Sequence, residues 1–166
     1  MNFEDVIRER FSTRSFKDEK VKKEELDKIL EAGRLAPTAK NKQPINIYVI
    51  ESDEALNKIN DCSPCIYGSK TVLLVCADKN NSYHKGEYST FEMDASIVAT
   101  HMMLEATNVG VDSVWVEMFD NSKVKEYFNL DYEPILLLPL GYRTDDYKPS
   151  PMHTTRKDIS ELVEYL

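Results

Sequence analysis

Two short runs, Thr71–Ala77 and Ile135–Leu140, are apolar almost from end to end. A strand wetted on one face alternates polar and apolar residues, so continuous runs of this length are expected to be strands buried on both faces. No run is long enough to cross a bilayer. Helical periodicities interleave with the runs, which points to a layered α/β or α+β chain.

Asn2 is expected to cap a short helix with Phe3, Val6 and Ile7 on one side, ending in the basic stretch Arg8–Arg14. Lys23–Ala36 places Leu26, Ile29, Leu30 and Gly33 at helical spacing, and Pro37 ends it. The loop Thr38–Pro44 leads into a strand, Ile45–Glu51, after which Ser52 caps a short helix through Ile59. Ser89 and Glu92 form a capping-box signature for the longest helix, which passes Met102, Met103, Leu104 and Ala106 and stops near Gly110. His101 is expected to pack within it. Ser113–Glu117 reads as a further strand, followed by a helix capped by Asn121 or Ser122; Thr155 and Asp158 open a last helix through Glu164. With 166 residues and 42% hydrophobic composition, one domain spanning 1–166 is expected.

The net charge of −8 opposes nucleic acid and anionic membranes, so an anionic ligand has to be caught by a local arginine cluster. Three cysteines and an N-terminus without an apolar h-region suit the cytoplasm. Cys62 and Cys65 form a C-x-x-C without a second pair for zinc; the reading is structural, with reversible thiol oxidation as the alternative. His84, His101 and His153 are scattered, and no metal site is expected.

Three stretches carry donor chemistry. Arg10, Ser12 and Arg14 place two guanidinium groups and a hydroxyl in one turn, which is either a phosphate cradle or a solvated basic helix end. The loop from Pro37 through Thr38, Asn41 and Gln43 offers hydroxyl and amide groups suited to a heterocycle edge, or is an ordinary connection. Gly141 and Arg143 follow the second apolar run, where a cation reaches a phosphate at the sheet edge or simply faces water.

Taken in order, Arg10-Phe-Ser12-Thr-Arg14-Ser-Phe16, the Ala36–Pro44 loop, Asp94-Ala95, Gly110 with Val114-Trp115-Val116, and Leu140-Gly141-Tyr142-Arg143 resemble the nitroreductase family of flavoproteins. The resemblance implies an α+β, three-layer α/β/α fold with a mixed, largely antiparallel sheet, in a homodimer with flavin sites at the subunit interface. It implies that Arg10, Ser12, Arg14, Gly141 and Arg143 bind the phosphate and ribityl chain of FMN. Pro37, Thr38, Asn41 and Gln43 would come from the other subunit. A backbone N–H near Val116 to Met118, with Val116 and Glu117 as the site residues, would meet the ring. The long helix would lie in the dimer core, and Tyr83, Tyr88 and Phe91 would overhang the ring or cover the core. The implied activity is electron transfer from NADH or NADPH, through FMN, to nitroaromatic, quinone or similar small acceptors by a ping-pong cycle. No side chain is named as acid, base or nucleophile, since the chemistry is the flavin's. A flavin-storing or flavin-sensing module without turnover is the competing reading.

Overall fold

The computed structural model describes residues 1–166. Its elements run, in chain order, α1 (Phe3–Glu9), α2 (Lys23–Leu35), β1 (Ile45–Ile50), α3 (Asp53–Cys62), β2 (Thr71–Ala77), β3 (His84–Lys85), β4 (Tyr88–Ser89), α4 (Phe91–Asn108), β5 (Asp112–Ser113), α5 (Asn121–Phe128) and β6 (Glu133–Gly141). Short 3-10 turns occupy Ala39–Asn41, Pro64–Ile66, Pro151–His153 and Ile159–Glu161.

The two apolar runs are neighbours at the centre of a four-stranded sheet of order β1-β2-β6-β5. Every residue of β2 is buried, as a strand covered on both faces requires. Its side chains divide by parity. Leu73, Val75 and Ala77 join Leu136, Leu138 and Leu140 in one core with Leu26 and Ile29 of α2 and Ala95, Val98 and Met102 of α4. Val72, Leu74 and Cys76 join Leu137 in a second core with Leu56 and Ile59 of α3 and Val124 of α5. The period of two along β2 therefore sorts α2 and α4 from α3 and α5. All strand pairings are antiparallel, and the parallel contact is the lone bridge between Ser12 and Ser113. Val75 and Cys76 straddle a register shift, where the strand partner jumps from Leu136 to Pro134.

Several local expectations need correction. The strand anticipated at Ser113–Glu117 survives as Asp112–Ser113 plus an isolated bridge from Val116 to Leu137. Pro139 is the reason. The Val114 N–H donates to its carbonyl at 3.2 Å, but Pro139 has no N–H to return, whereas Val116 and Leu137 exchange both bonds at 3.0 and 2.9 Å. Helix α4 begins at Phe91 behind Thr90, with no side-chain cap, because Ser89 is in β4 and its hydroxyl pairs with that of Ser82 at 2.6 Å. Helix α5 is capped by Asp120 rather than by Asn121 or Ser122. The helix expected from Thr155 through Glu164 is only the 3-10 turn Ile159–Glu161, where a capping box closes without any buried side chain to hold a longer helix down. On α1, Val6 is buried while Phe3 and Ile7 are exposed, and His101 is exposed on α4. No helix is long and apolar enough to cross a membrane.

Candidate functional site

The chain after α1 is pulled flat by the sheet edge. Ser12 bridges Ser113, and the Thr13 N–H donates to the Ser113 carbonyl at 3.0 Å. In extended backbone alternate side chains share a face. Arg10, Ser12 and Arg14 accordingly line one cavity of about 180 Å³, with Phe11 at its wall.

The opposite wall comes from the far end of the chain. Ser150, Met152, His153 and Arg156 complete the same cavity. Three contacts hold that segment in place. The Tyr147 hydroxyl donates to the Ser12 carbonyl at 3.0 Å, the His153 Nε2–H donates to the Arg8 carbonyl at 3.1 Å, and the His153 ring stands edge-on to Phe11 at 5.8 Å.

No carboxylate lines this cavity. The chain has six arginines: Arg8, Arg34 and Arg143 pair with Glu4, Glu31 and Asp112, whereas Arg10, Arg14 and Arg156 gather at the cavity without an acidic partner. Burial, and then the like charge of Arg156, lower the Arg10 pKa from its ordinary value, although a guanidinium remains protonated throughout the physiological range. The Tyr67 hydroxyl lies by Arg14. Its pKa is raised, first by a hydrogen bond with the Cys65 thiol, against the lowering pull of Arg14. An assembly of cations around a small cavity, with a hydroxyl between them, matches the fork geometry and charge of a phosphate.

Arg143 is placed elsewhere. It faces Asp112 at 3.4 Å and lies over the Phe11 ring at 5.1 Å, in a separate cavity of about 240 Å³ that also contains Glu9. Thus two of the three expected arginines meet, and the third cation at their cavity is Arg156, which sequence reasoning did not name. Its signal in the sequence is the long polar stretch beyond Gly141, which the structure folds back onto the end of α1 and the residues that follow it. Gly141 ends β6 buried beneath Phe16, where a Cβ would meet the ring's Cδ1 at 2.9 Å; close packing is what the structure asks of it.

The 37–43 loop forms a second constellation. Thr38 and Gln43 edge a cavity of about 260 Å³ floored by Leu30, Ile45, Ile47 and Val98. The loop is drawn tight, with the Thr38 hydroxyl accepting from the Gln43 N–H at 2.9 Å and the Gln43 side-chain amide donating to the Asn41 carbonyl at 3.2 Å. Pro37 and Asn41 are exposed. No residue lines both this cavity and the arginine cavity.

At the third expected place, the Val116 N–H is committed to Leu137, which removes it as a free donor. The next two N–H groups, of Glu117 and Met118, have no partner within the chain. The Trp115 indole N–H donates to the Glu117 carboxylate at 2.7 Å and holds that side chain aside. The Cys62–Cys65 turn supports this stretch: the Ser63 hydroxyl donates to the Met118 carbonyl at 2.7 Å, and the Asp120 N–H donates to the Cys62 carbonyl at 3.0 Å. Cys62, Cys65 and Cys76 are all free and buried.

A model of the nitroreductase family matches residues 7–63 and 62–142. The chain belongs to the nitroreductase family. Among solved structures, this nitroreductase-family chain is similar to a nitroreductase family protein from Clostridium difficile 630, at 38% identity and a TM-score of 0.91, covering 99% of this chain and 98% of the other. It is also similar to a nitroreductase family protein from Clostridium novyi NT, at 26% identity and a TM-score of 0.82, covering 87% of each chain. A curated relative from Bacillus subtilis (strain 168), named FMN reductase [NAD(P)H], is 31% identical over 104 residues, which is 60% of this chain and 42% of that protein. The nitroreductase fold accounts for the α+β architecture and its antiparallel sheet.

Proposed function

We propose that this chain is an FMN-dependent oxidoreductase that takes electrons from NADH or NADPH and passes them to small nitroaromatic, quinone or similar acceptors, donor and acceptor using one site in turn. The observation that carries this reading is the meeting of Arg10, Arg14 and Arg156 without a carboxylate around one cavity. Family membership, and the likeness to the B. subtilis FMN reductase [NAD(P)H], favour FMN as the phosphate-bearing group.

The residues present fit that cofactor. Arg10, Ser12, Arg14 and Arg156 hold the phosphate, which supplies the missing negative charge and relieves the repulsion between Arg10 and Arg156. The N–H groups of Glu117 and Met118, free within the chain, would serve as donors to the flavin ring. Bound FMN supplies the two-electron chemistry. Pro37, Thr38, Asn41 and Gln43 bind the ring of a second copy's flavin, which explains why the loop and the arginine cavity share no residue within one chain. The whole chain then acts as a single FMN-binding unit, three-layered and homodimeric, with α4 in the dimer core. Its three free thiols suit a reducing cytoplasm.

An anaerobic absorption spectrum tests this. The purified protein is expected to be yellow, and to bleach when NADH or NADPH is added. Protein that neither carries nor takes up FMN disproves the proposal, while bound flavin that neither nucleotide reduces leaves only storage or sensing.

A further inference from the structure

The Asp94 carboxylate is 1% exposed and has no part in the site described so far. One oxygen accepts the Ala39 N–H at 2.8 Å, and the other accepts the Thr90 hydroxyl at 2.8 Å. It lies near the N-terminal end of α4, whose unsatisfied N–H groups favour an anion there.

Ala39 opens the 3-10 turn of the 37–43 loop. The residue that would ordinarily cap that turn, Thr38, makes no side-chain cap, because its hydroxyl is engaged by the Gln43 N–H. Asp94 takes over the capping from 55 residues away along the chain. The loop needs such an anchor. Lys40, Asn41 and Gln43 have φ of 53°, 54° and 50°, left-handed conformations that are unfavourable for residues with a Cβ, least so for asparagine. A charge-assisted hydrogen bond buried from water is of the strength required to offset part of that strain.

We propose that Asp94 is a positioning residue for flavin binding: its buried carboxylate pins the Ala39 N–H and thereby holds Thr38 and Asn41 in their binding conformation. This rests on the reading that the 37–43 loop faces FMN. The test is FMN titration of the apoprotein by fluorescence quenching, paired with hydrogen exchange at the Ala39 amide and across β2. Asp94→Ala is expected to weaken FMN about ten-fold or more and to speed exchange at Ala39, with β2 still protected. Asp94→Asn, which keeps the oxygen for Ala39, is expected to restore FMN affinity to within about threefold of the unaltered protein. Should Asp94→Ala fail to fold, Thr90→Val removes the hydroxyl that orients the carboxylate and is expected to show faster Ala39 exchange with weaker FMN binding. Unchanged FMN affinity in a variant whose Ala39 amide has loosened overturns the proposal, as does a lack of rescue by Asp94→Asn. If the unaltered protein takes up no FMN, the functional reading fails, while the exchange measurement still reports whether Asp94 anchors the loop.

Discussion

Arg143 and Arg156 carry the same charge in different company. Arg143 has Asp112 beside it and an aromatic face beneath it, so its charge is already answered within the chain. Arg156 hydrogen-bonds only the Met152 and Thr155 carbonyls and otherwise faces Arg10. Titration of FMN into apoprotein should therefore separate them. Arg156→Ala is expected to lose about 1.5 to 3 kcal/mol of binding, the range for a hydrogen bond to a charged group, with Arg143→Ala well below that. Gly141 makes a different prediction. Its missing Cβ leaves room for Phe16, and Gly141→Ala would place a methyl 2.9 Å from that ring. A thermal melt should show destabilisation of about 1 to 3 kcal/mol, as overpacking of a core usually does.

Helix α5 owes its limits to its capping residues. Helix α5 starts where the Asp120 side chain accepts the Lys123 N–H at 3.0 Å and stops at Asn129, which turns left-handed. Asp120→Ala should cost about 1 kcal/mol in a denaturant melt, with no change in denaturant sensitivity, because a cap is lost without exposing core. Helix α2 buries Leu26, Ile29 and Gly33 against α4, and a Cβ on Gly33 would come within 2.7 Å of the Met102 Cγ. The two helices approach closely because that position has no side chain. Between β5 and Val116, the sheet edge is interrupted opposite Pro139, which has no N–H to donate. The segment after Gly141 is built differently: it has little apolar burial, and is held instead by Tyr147 and His153 on the Ser12 and Arg8 carbonyls.

At the scale of the whole molecule, titration sets where the fold holds. Asp61 is held below the ordinary carboxylate range chiefly by the Tyr127 hydroxyl and then by Lys123, Asp145 by Lys17, and Glu54 by Lys58. These depressed acids stabilise the fold above their unfolded values and lose that contribution as the pH falls through the folded ones. Stability is expected to drop below about pH 4, and added salt should flatten the dependence because these groups are exposed. Cys76 behaves in the opposite sense. Burial in β2 pushes its thiol from 9.0 up to about 12, so its contribution is complete below pH 9 and fades between 9 and 12. A series of melts across that window should show a loss approaching about 1.4 kcal/mol per pH unit, while Cys76 resists thiol reagents until the protein unfolds.

The amino-acid sequence by itself determines the elements whose signals are local. Continuous apolar runs define β2 and β6, helical spacing defines α2, and Asn2 and Ser52 cap α1 and α3 as expected, because side-chain period and capping chemistry act over a few residues. The clustering of Arg10, Ser12 and Arg14 is legible from their spacing, but as one turn at a helix end, whereas the structure achieves it by alternation along an extended segment. Tertiary structure alone decided that Arg156 and not Arg143 completes their cavity, that Pro139 divides the expected strand, that the Val116 N–H is consumed by Leu137, and that Asp94 anchors a loop far from it in the chain. Each of these depends on which groups meet across long chain separations, and a polar group's availability to a ligand is known only once its partners within the fold have been counted.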